Sequence, residues 1–473
     1  MNERTALAAI AAGWVLMFST AMAQTSAPRT AAPSSADAGD EAVELLSQYL
    51  KLDTTNPPGN EILAARYFKA IFDKEGIESR IYESAPGRAS IYARLKGNGT
   101  KKAMVLLNHM DVVPADKRFW KEDPFSGLIK DGYVWGRGAY DMKGMGVIEL
   151  MAMLQIKRTG IALKGDLIFL GTADEEAGGM MGAGYMVANH FDLFKDVGSV
   201  INEGGGGTAT AEGKTLFFGV GVAEKTPLWL KVISQSEPGH GSTPRPDSSV
   251  NKLVRALARI LAYQPPLDVS ALVQRRNADL AHLAATAELR EKNRDLRASL
   301  TDPTFANEFS KSIFNNAQVR NTIAVTMLEG SSKVNVIPPE AVAQLDVRLL
   351  PNQNPDEFLK ILRAVISDDS LKVERTMSFP PSSSPPEGEL PNAIRQVAAK
   401  YDPGVTHTIA VGNGFTDCHF FREKGVPCYG FQPYRIRAND PTGFHGNNER
   451  MSVENIKFGT AFMFDLVKRM VAE

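Results

Sequence analysis

Histidine and carboxylate side chains recur in the first half of the chain, where they follow short apolar runs. His109 and Asp111 follow one such run, Glu175 and Glu176 follow another, and Asp141 stands between them. Neutral imidazole nitrogen and carboxylate oxygen are ligands that zinc takes, so these side chains could hold one or two divalent metal ions. In an adjacent acidic pair, one carboxylate can bind metal while the other carries a proton. An isolated His-x-Asp is usually a surface pair, but three such fragments in this order predict a metal site.

The apolar runs predict the strands that must bring these side chains together. Short continuous runs of this kind are typical of buried parallel strands, and they cover residues 103–107, 166–171 and 198–201. Ligands in open α/β sheets gather beyond the carboxyl ends of the strands. Because Glu203 follows the third run as His109 and Glu175 follow the first two, we expect these side chains to converge at one edge of the sheet.

The hydrophobic and polar patterns change along the 473 residues and predict two domains. An α/β domain with a mostly parallel sheet is predicted for residues 38–224 and 379–473. A smaller α+β domain, with a strand that alternates polar and apolar residues, interrupts it at residues 225–378. Within this smaller domain, residues 264–320 are polar and helical and form an insertion. Helical patterns are predicted at residues 143–158, 251–263, 355–366 and 453–471.

The N-terminus has the pattern of an export signal. Arg4 precedes a mostly apolar stretch, and Ala21-Met22-Ala23 supplies the small residues of a cleavage site. Residues 1–23 are therefore predicted to be a secretory signal peptide, and residues 24–37, rich in Ala, Ser, Thr and Pro, a disordered leader. A membrane anchor is disfavoured, because the apolar stretch is shorter than the roughly 20 residues that a span requires. We expect an exported protein, periplasmic or secreted, with no stable membrane insertion after cleavage.

The balance of charge gives no reason to expect nucleic acid as a partner. The formal net charge is -1, and no basic run with interleaved aromatic residues occurs. Cys418 and Cys428 are the only cysteines of the chain. In an exported protein they could form a disulfide, and two buried thiols are an equally good interpretation.

Together these motifs resemble those of the M20 family of metallopeptidases. The resemblance runs from about residue 41 to the C-terminus. The segments that carry it are residues 107–114, 136–144, 173–176, 239–242, 333–339 and 444–446, with Glu203. Within the family, the long middle region and residues 322–338 are most similar to the carboxypeptidase S branch, which includes secreted N-fatty-acyl-amino-acid hydrolases.

The resemblance implies a catalytic α/β domain, interrupted by a lid domain that often dimerises, and two Zn²⁺ ions per chain. Other divalent ions, such as Co²⁺ or Mn²⁺, are compatible with the same ligands. His109 and Glu203 would hold one ion, and Glu176 and His445 would hold the other. Asp141 would bridge the two ions. A homodimer would form through the lid domain.

The resemblance also assigns roles beside the metal ligands. Asp111 would contact His109 without binding metal and so fix the orientation of its ring. Glu175 would take a proton from the attacking water and pass it to the leaving amine. The alternatives for Glu175 are a third metal ligand or a carboxylate favoured by a helix N-terminus. In dimeric relatives the histidine that corresponds to His240 reaches the partner's site and stabilises the oxyanion; otherwise His240 is a turn residue.

Two further positions, Arg348 and Asn335, match ones that hold carboxylate or carbonyl groups of the substrate in the family, and Gly412 and Gly414 are further candidates near the substrate's carboxylate. An arginine fork suits a carboxylate or carbonyl group of the substrate, although an arginine on a strand is more commonly a surface residue. The glycines would form a backbone cradle, for which an ordinary turn is the alternative. The sequence departs from the family pattern at His419, where relatives commonly carry arginine, and this bears on local packing or specificity rather than on the metal site.

Motifs and resemblance together predict an exported dizinc amidohydrolase. It would cleave an amide next to a free C-terminal carboxylate, releasing an amino acid from a short peptide or an N-acyl amino acid. A dedicated N-deacylase or desuccinylase of the same fold is an alternative that the motifs do not separate, since the metals and Glu175 serve both. A non-catalytic periplasmic binding protein is a second alternative, against which the intact Glu175 and the full ligand set argue.

Overall fold

The computed structural model describes residues 35–437, 439–440 and 442–473. The predicted signal peptide, residues 1–23, and residues 24–34 of the predicted leader lie outside the described residues. Residues 35–37, also predicted to belong to the leader, are instead the first turn of a helix, Ser35–Leu50. In the described part of the chain, no helix combines the length and the apolar character needed to cross a membrane.

The described residues contain strands from residue 79 to residue 452. In chain order they are β1 (Ser79–Ala85), β2 (Arg88–Leu95), β3 (Ala103–His109), β4 (Leu128–Lys130), β5 (Tyr133–Trp135), β6 (Leu167–Thr172), β7 (Val197–Asn202), β8 (Gly206–Ala209), β9 (Thr215–Glu224), β10 (Thr226–Gln235), β11 (Gly239–His240), β12 (Thr322–Glu329), β13 (Val336–Ile337), β14 (Glu340–Leu349), β15 (Lys372–Ser378), β16 (Thr406–Gly412), β17 (Cys428–Gly430), β18 (Arg435–Arg437) and β19 (Arg450–Ser452).

The α-helices of the same residues lie between these strands. They are α1 (Ser35–Leu50), α2 (Glu61–Lys74), α3 (Lys143–Thr159), α4 (Ala183–Asn189), α5 (Ser249–Ala262), α6 (Ala271–Leu280), α7 (Ala287–Arg294), α8 (Leu296–Ser299), α9 (Pro303–Ser310), α10 (Ile313–Gln318), α11 (Pro355–Ile366), α12 (Glu389–Tyr401), α13 (Cys418–Glu423) and α14 (Val453–Val471). The helices predicted at residues 355–366 and 453–471 have the observed bounds.

The main sheet has the strand order β1-β2-β6-β3-β7-β17-β9-β8-β18, with β16 paired to β9. Its central strands β6, β3, β7 and β17 run parallel, whereas β1 and β2 are antiparallel to their neighbours. The predicted α/β class is thus confirmed, with a sheet that is mixed. In the parallel pairing of β3 with β6, His109 lies opposite Thr172. The residues that follow these two strands therefore emerge side by side at one edge.

The apolar runs of β3 and β6 are explained by burial on both faces of the sheet. Every residue of both strands is buried. Leu106 and Phe169 belong to the hydrophobic core on one face, and Leu107 and Leu170 belong to the core on the other. The helix α3 packs on the first of these faces, and its residues 143–156 are all buried. The central strands are thereby fixed by close packing, and with them the side chains at their ends.

A second sheet, with the order β12-β14-β10-β15, occupies the segment predicted as the smaller domain. In β10, Leu228, Leu230 and Val232 are buried and point to one face, as the alternating pattern predicted. The helices α5 and α11 cover that face through Leu257 and Phe358, which share its core. This segment therefore has a hydrophobic core of its own.

The polar segment predicted as a helical insertion, residues 264–320, contains α6 to α10. Its apolar side chains Val273, Leu296 and Phe305 form a small core together with Val411 of β16. The insertion thus covers one edge of the main sheet rather than extending the smaller sheet.

A disulfide joins Cys418, the first residue of α13, to Cys428, the first residue of β17. Of the two interpretations that the sequence left open, the structure therefore has the disulfide. The bond ties α13 to a strand that lies beside β7 in the main sheet.

Candidate metal centre

Two groups of potential metal ligands meet at the carboxyl edge of the central strands. One group contains His109, Asp141 and Glu203, and the other contains Asp141, Glu176 and His445. His109 Nε2 lies 3.1 Å from Asp141 Oδ1, and His445 Nε2 lies 3.0 Å from Asp141 Oδ2. His445 Nε2 is 3.2 Å from Glu176 Oε2, and His109 Nε2 is 3.7 Å from Glu203 Oε1. Each oxygen of Asp141 therefore faces a different histidine, so this carboxylate is shared by the two groups.

The ligands come from separate elements that all end at this edge. His109 is the last residue of β3, and Glu203 directly follows β7. Glu176 lies on a single turn of 3-10 helix, Glu175–Ala177, after β6. Asp141 precedes α3, and His445 lies in the loop before β19 with a positive φ of 51°. His109, Glu176 and Glu203 meet after strand ends, as expected, and Asp141 and His445 join them from a loop before α3 and a loop before β19.

The orientation of His109 is fixed by a hydrogen bond to the backbone. Its Nδ1 lies 3.0 Å from the carbonyl oxygen of Asp111, which gives Nδ1 the proton and leaves Nε2 to face Asp141. The carboxylate of Asp111 is farther away, with Oδ1 3.5 Å from Nδ1. The carbonyl oxygen of Asp111 is therefore the nearer of its two contacts with His109.

The carboxylate of Asp111 instead holds the turn that carries Glu175 and Glu176. It accepts hydrogen bonds from the backbone N–H of Glu175 at 3.1 Å and of Glu176 at 3.2 Å. The side-chain amide of Asn56 donates a third hydrogen bond to it at 2.8 Å. Fully buried Asp111 thus links the end of β3 to the acidic pair after β6.

The acidic side chains of the site are held away from water and close to one another. Burial, followed by the nearby charge of Glu203, raises the pKa of Glu175 well above its ordinary value. Burial and the charge of Asp141 likewise raise the pKa values of Glu176 and Glu203. In addition, the buried Oε1 atom of Glu176 has no hydrogen-bond partner among the residues that the structure describes. Bound cations would compensate these charges, so the donor set fits divalent metal ions.

The same carboxylates raise the pKa values of the two histidines as well. Burial alone would lower the pKa of His109, but Glu203, Asp111 and Asp141 outweigh it and raise that pKa well above its usual value. Hydrogen bonds to Asp141 and Glu176 raise the pKa of His445 to about 10. Protons therefore occupy the imidazole nitrogens that a metal ion would take, and metal binding would release them.

The sequence did not predict a network of charged residues next to the turn that carries Glu175 and Glu176. Arg88 forms ion pairs with Glu61, at 2.8 Å, and with Asp174, at 2.7 Å. Asp174 precedes the turn and has a positive φ of 73°. Its second oxygen accepts a hydrogen bond from Met181 N at 3.0 Å. No spacing rule joins Glu61, Arg88 and Asp174, so only the folded chain reveals the network.

Asp417 was also missed as part of the site. It is buried, and its Oδ2 accepts a hydrogen bond from the Thr172 hydroxyl at 2.8 Å. Its charge contributes to the raised pKa of Glu175. Burial raises the pKa of Asp417 itself to about 8.

His240 and Asn335 lie together, away from the two ligand groups. His240 is in β11, which pairs with β13, and Asn335 directly precedes β13. Both residues are exposed. Within the described residues, the hydrogen bonds of the His240 ring go to the backbone N–H and hydroxyl of Ser242. The structure thus joins these two predicted residues to each other but not to the carboxylates.

Arg348 and the two glycines lie where the second sheet approaches the main one. The guanidinium of Arg348 is paired with Asp346, with Nε 2.6 Å from Oδ1, and packs over the ring of Phe415 at 5.0 Å. Gly412 ends β16, and its carbonyl accepts a hydrogen bond from Lys225 N at 2.9 Å. Gly414 has open space on its Cβ side. Arg348 is therefore next to the loop that contains Gly412 and Gly414.

His419, the position that departs from the family pattern, is part of an aromatic cluster. Its ring stacks on Phe379 at a centroid distance of 3.7 Å and also lies 3.7 Å from the ring of Phe420. Its Nδ1 is 2.8 Å from Glu423 Oε1. His419 is buried by these contacts and is absent from both ligand groups.

Comparison with known sequences gives one family for most of the chain. The family model for peptidase family M20/M25/M40 matches residues 105–469. The N-fatty-acyl-amino acid synthase/hydrolase PM20D1 of Mus musculus is 30% identical over 379 residues, which cover 77% of this chain and 73% of the relative. Aminoacylase-1B of Rattus norvegicus is 26% identical over 415 residues, covering 87% of this chain and 90% of the relative.

Solved structures share the fold. An M20 family metallo-carboxypeptidase from Sulfolobus solfataricus aligns with a TM-score of 0.70 at 21% identity, covering 91% of this chain and 99% of its own. Human carnosine dipeptidase 1 aligns with a TM-score of 0.66 at 18% identity, covering 92% of this chain and 98% of its own. Both alignments extend over the main sheet and the interrupting segment.

The buried carboxyl of Asp417 predicts a pH dependence of stability in the metal-free protein. Because burial raises the pKa of Asp417 from about 4 to about 8, the folded state binds this proton more tightly than the unfolded state does. The stability it contributes is present at low pH and is lost as the pH rises towards 8. In chelator-treated protein, Asp417→Asn should therefore show a smaller fall in Tm between about pH 5 and pH 8 than the unsubstituted chain.

Thermal denaturation across that pH range, followed by circular dichroism, measures the effect. Asp192→Asn is the matched control, because Asp192 is exposed and should leave the slope unchanged. Equal slopes for Asp417→Asn and the unsubstituted chain would show that Asp417 is not the proton-binding group.

Proposed function

The chain belongs to peptidase family M20/M25/M40, and from that premise we propose that it is a zinc-dependent hydrolase that cleaves an amide bond next to a free carboxylate. The substrate would be a short peptide or an N-acyl amino acid, and the product would be the released amino acid. One observation carries the proposal: Asp141 is shared between two ligand groups, while Glu175 is buried beside them without being a member of either group.

Each of the two ligand groups would hold one metal ion. His109 and Glu203 would hold one ion, Glu176 and His445 the other, and Asp141 both. Bound in this way, the ions would polarise the scissile carbonyl and lower the pKa of water. Zinc is proposed because imidazole and carboxylate are its ligands, and Co²⁺ or Mn²⁺ would fit the same donors.

Glu175 is the residue of this chain that would move the proton. It is adjacent to the ligand Glu176, on a turn whose two N–H groups are held by Asp111. This anchoring fixes the backbone from which Glu175 reaches the site. Glu175 would accept a proton from the attacking water and then deliver it to the nitrogen of the leaving amine, which restores its ionised state.

The choice of substrate class rests on a chemical feature that the relatives' names have in common. An N-acyl amino acid and the C-terminal end of a peptide share an amide next to a free carboxylate. Arg348 is a candidate to bind that carboxylate, because its Nε and Nη2 are paired with Asp346 while Nη1 makes no hydrogen bond to the described residues. The backbone at Gly412 and Gly414 and the amide of Asn335 would complete the binding of the carboxylate and the scissile carbonyl.

The smaller domain would also form a homodimer. Exposed apolar side chains, among them Val254, Leu328 and Val334, border a groove of about 590 Å³ between α5, β12 and the loop after it. Since β12 is an edge strand, a second copy of the chain could pair with it and cover this face. Gly241 lines the same groove, so dimerisation would bring the partner close to His240.

Export to the periplasm or out of the cell is part of the same proposal. The pattern of residues 1–23 supports it. The disulfide between Cys418 and Cys428 supports it as well, because such bonds persist in oxidising compartments.

An activity panel tests the proposed reaction. The purified chain, loaded with zinc, should release free amino acid from dipeptides, from N-acyl amino acids or from both, and should lose this activity when a chelator removes the metal. Matched substrates with an amidated C-terminus should react poorly. Turnover of N-succinyl or N-acetyl amino acids without turnover of dipeptides would favour a dedicated deacylase, and no turnover with any substrate would favour a binding protein.

The two adjacent glutamates should respond differently to the same substitution. Glu175→Gln keeps the size of the side chain but cannot accept a proton, so we expect two bound metal ions and a kcat lower by at least about 10²–10⁴-fold. Glu176→Gln removes a ligand, so we expect weaker metal binding and partial rescue by added zinc. Metal content and kcat are measured side by side for both variants. Near-normal turnover in fully loaded Glu175→Gln would refute the role of Glu175.

Mixed subunits test whether His240 acts in the partner's site. His240→Ala should keep its metal but lose about 10²–10³-fold in kcat, as expected for one oxyanion donor. Mixing it with Glu175→Gln subunits should restore activity, because each mixed dimer then contains one complete site. The double variant His240→Ala/Glu175→Gln is the control partner and should restore nothing. If dimers confirmed as mixed by mass spectrometry stay inactive, His240 does not act in trans.

A further inference from the structure

Glu449 is a buried carboxylate that the proposed reaction does not use. It directly precedes β19 and is fully buried. Its Oε2 accepts hydrogen bonds from Arg137 Nη1 at 2.7 Å and from Gly138 N at 3.0 Å. Its Oε1 accepts hydrogen bonds from Tyr140 N at 2.9 Å and from Asp141 N at 3.0 Å. One side chain thus holds four donors of a single loop, residues 137–141.

This loop ends in the carboxylate that the two ligand groups share. The hydrogen bond from Asp141 N to Glu449 fixes the backbone of Asp141, whose side-chain oxygens face His109 and His445. The backbone of Glu449 contributes too, since its carbonyl accepts a hydrogen bond from Gly136 N at 3.0 Å. The position of Asp141 therefore depends on a residue distant in sequence, near the C-terminus.

The same carboxylate is tied to the loop that contains His445. Glu449 lies four residues after His445, and Arg137 bridges the loops, donating through Nη1 to Glu449 and through Nη2 to the carbonyl of Gly446 at 2.8 Å. The guanidinium is buried with its partner. Asp141 and His445, which must face one another to form the second ligand group, are thus connected through one ion pair.

We propose that Glu449, together with Arg137, is a positioning residue that sets Asp141 against His445 and so determines how tightly the second metal ion binds. This inference rests on the proposed function, since it assumes that the ligand groups hold metal. A glutamine in place of Glu449 has one acceptor oxygen and an NH₂ group. It would leave buried N–H donors facing another donor, which is costly in a site closed to water.

Direct metal titration tests the proposal without relying on activity. Chelator-treated protein is titrated with Co²⁺ alone, and binding is followed by calorimetry and by the visible absorption of the bound ion. The unsubstituted chain should bind two ions. In Glu449→Gln the second step should weaken by about 10–100-fold, as is typical when a residue that orients a metal ligand is changed. The first step should change less, because His109 and Glu203 keep their positions.

Two further variants separate positioning from a general loss of stability. Glu454→Gln is the matched control, because Glu454 is an exposed residue of α14 and should bind both ions normally. Arg137→Gln keeps the three backbone donors to Glu449 but loses the bond to Gly446, so it should also weaken binding of the second ion. This variant replaces Glu449→Gln in the test if Glu449→Gln does not fold.

The outcomes distinguish this inference from the proposed function. Normal binding of both ions in a folded Glu449→Gln or Arg137→Gln variant, with only a lower Tm, would overturn the inference and leave the function intact. Failure of the unsubstituted chain to bind a second ion would overturn both.

Discussion

The concentration of negative charge at one edge of the main sheet is the constraint on which the rest of the site depends. Among the described residues, several carboxylates that are buried or nearly so lie there, including Asp111, Asp141, Glu175, Glu176, Glu203 and Asp417. Buried charges of one sign are stable only when donors or cations compensate them. The fold supplies part of that compensation, through His109 and His445 and through backbone N–H groups. Bound metal ions would supply the rest. The raised pKa values of the glutamates and the Glu176 oxygen without a partner among the described residues both reflect this uncompensated charge.

The architecture meets this constraint by separating two kinds of carboxylate. Asp111 and Glu449 are saturated with hydrogen bonds from N–H donors and hold backbone segments in place. Asp141, Glu176 and Glu203 keep oxygens directed at the histidines and at the space between them. Because the first kind is fixed by the protein alone, the second kind can stay close together before any cation is present. Preorganisation of this sort is what a metal site with a defined geometry requires.

The sequence predicted the parts of the site that lie in local patterns. The continuous apolar runs predicted β3, β6 and β7, and hence the convergence of His109, Glu175 and Glu203, because strand ends in a parallel sheet have a fixed geometric meaning. Arg88 with Glu61, and Asp417 with Thr172, were not predictable, since their partners are far apart in the chain and no periodicity links them.

In the proposed function, metal binding and substrate recognition would be carried by different parts of the molecule. Three of the candidate metal ligands, His109, Glu176 and Glu203, lie at or after the ends of buried strands, where a change in a neighbour is transmitted to the site. The proposed substrate contacts lie instead at the approach of the second sheet, on Arg348 and the loop after β16. Gln318 of the insertion donates to the carbonyl of Val411 in β16 at 3.0 Å and to the side chain of Asn413 in that loop at 2.5 Å. Under the proposed function, we therefore expect changes in the insertion to alter which substrate is accepted while the candidate ligand groups and their supporting carboxylates remain as they are.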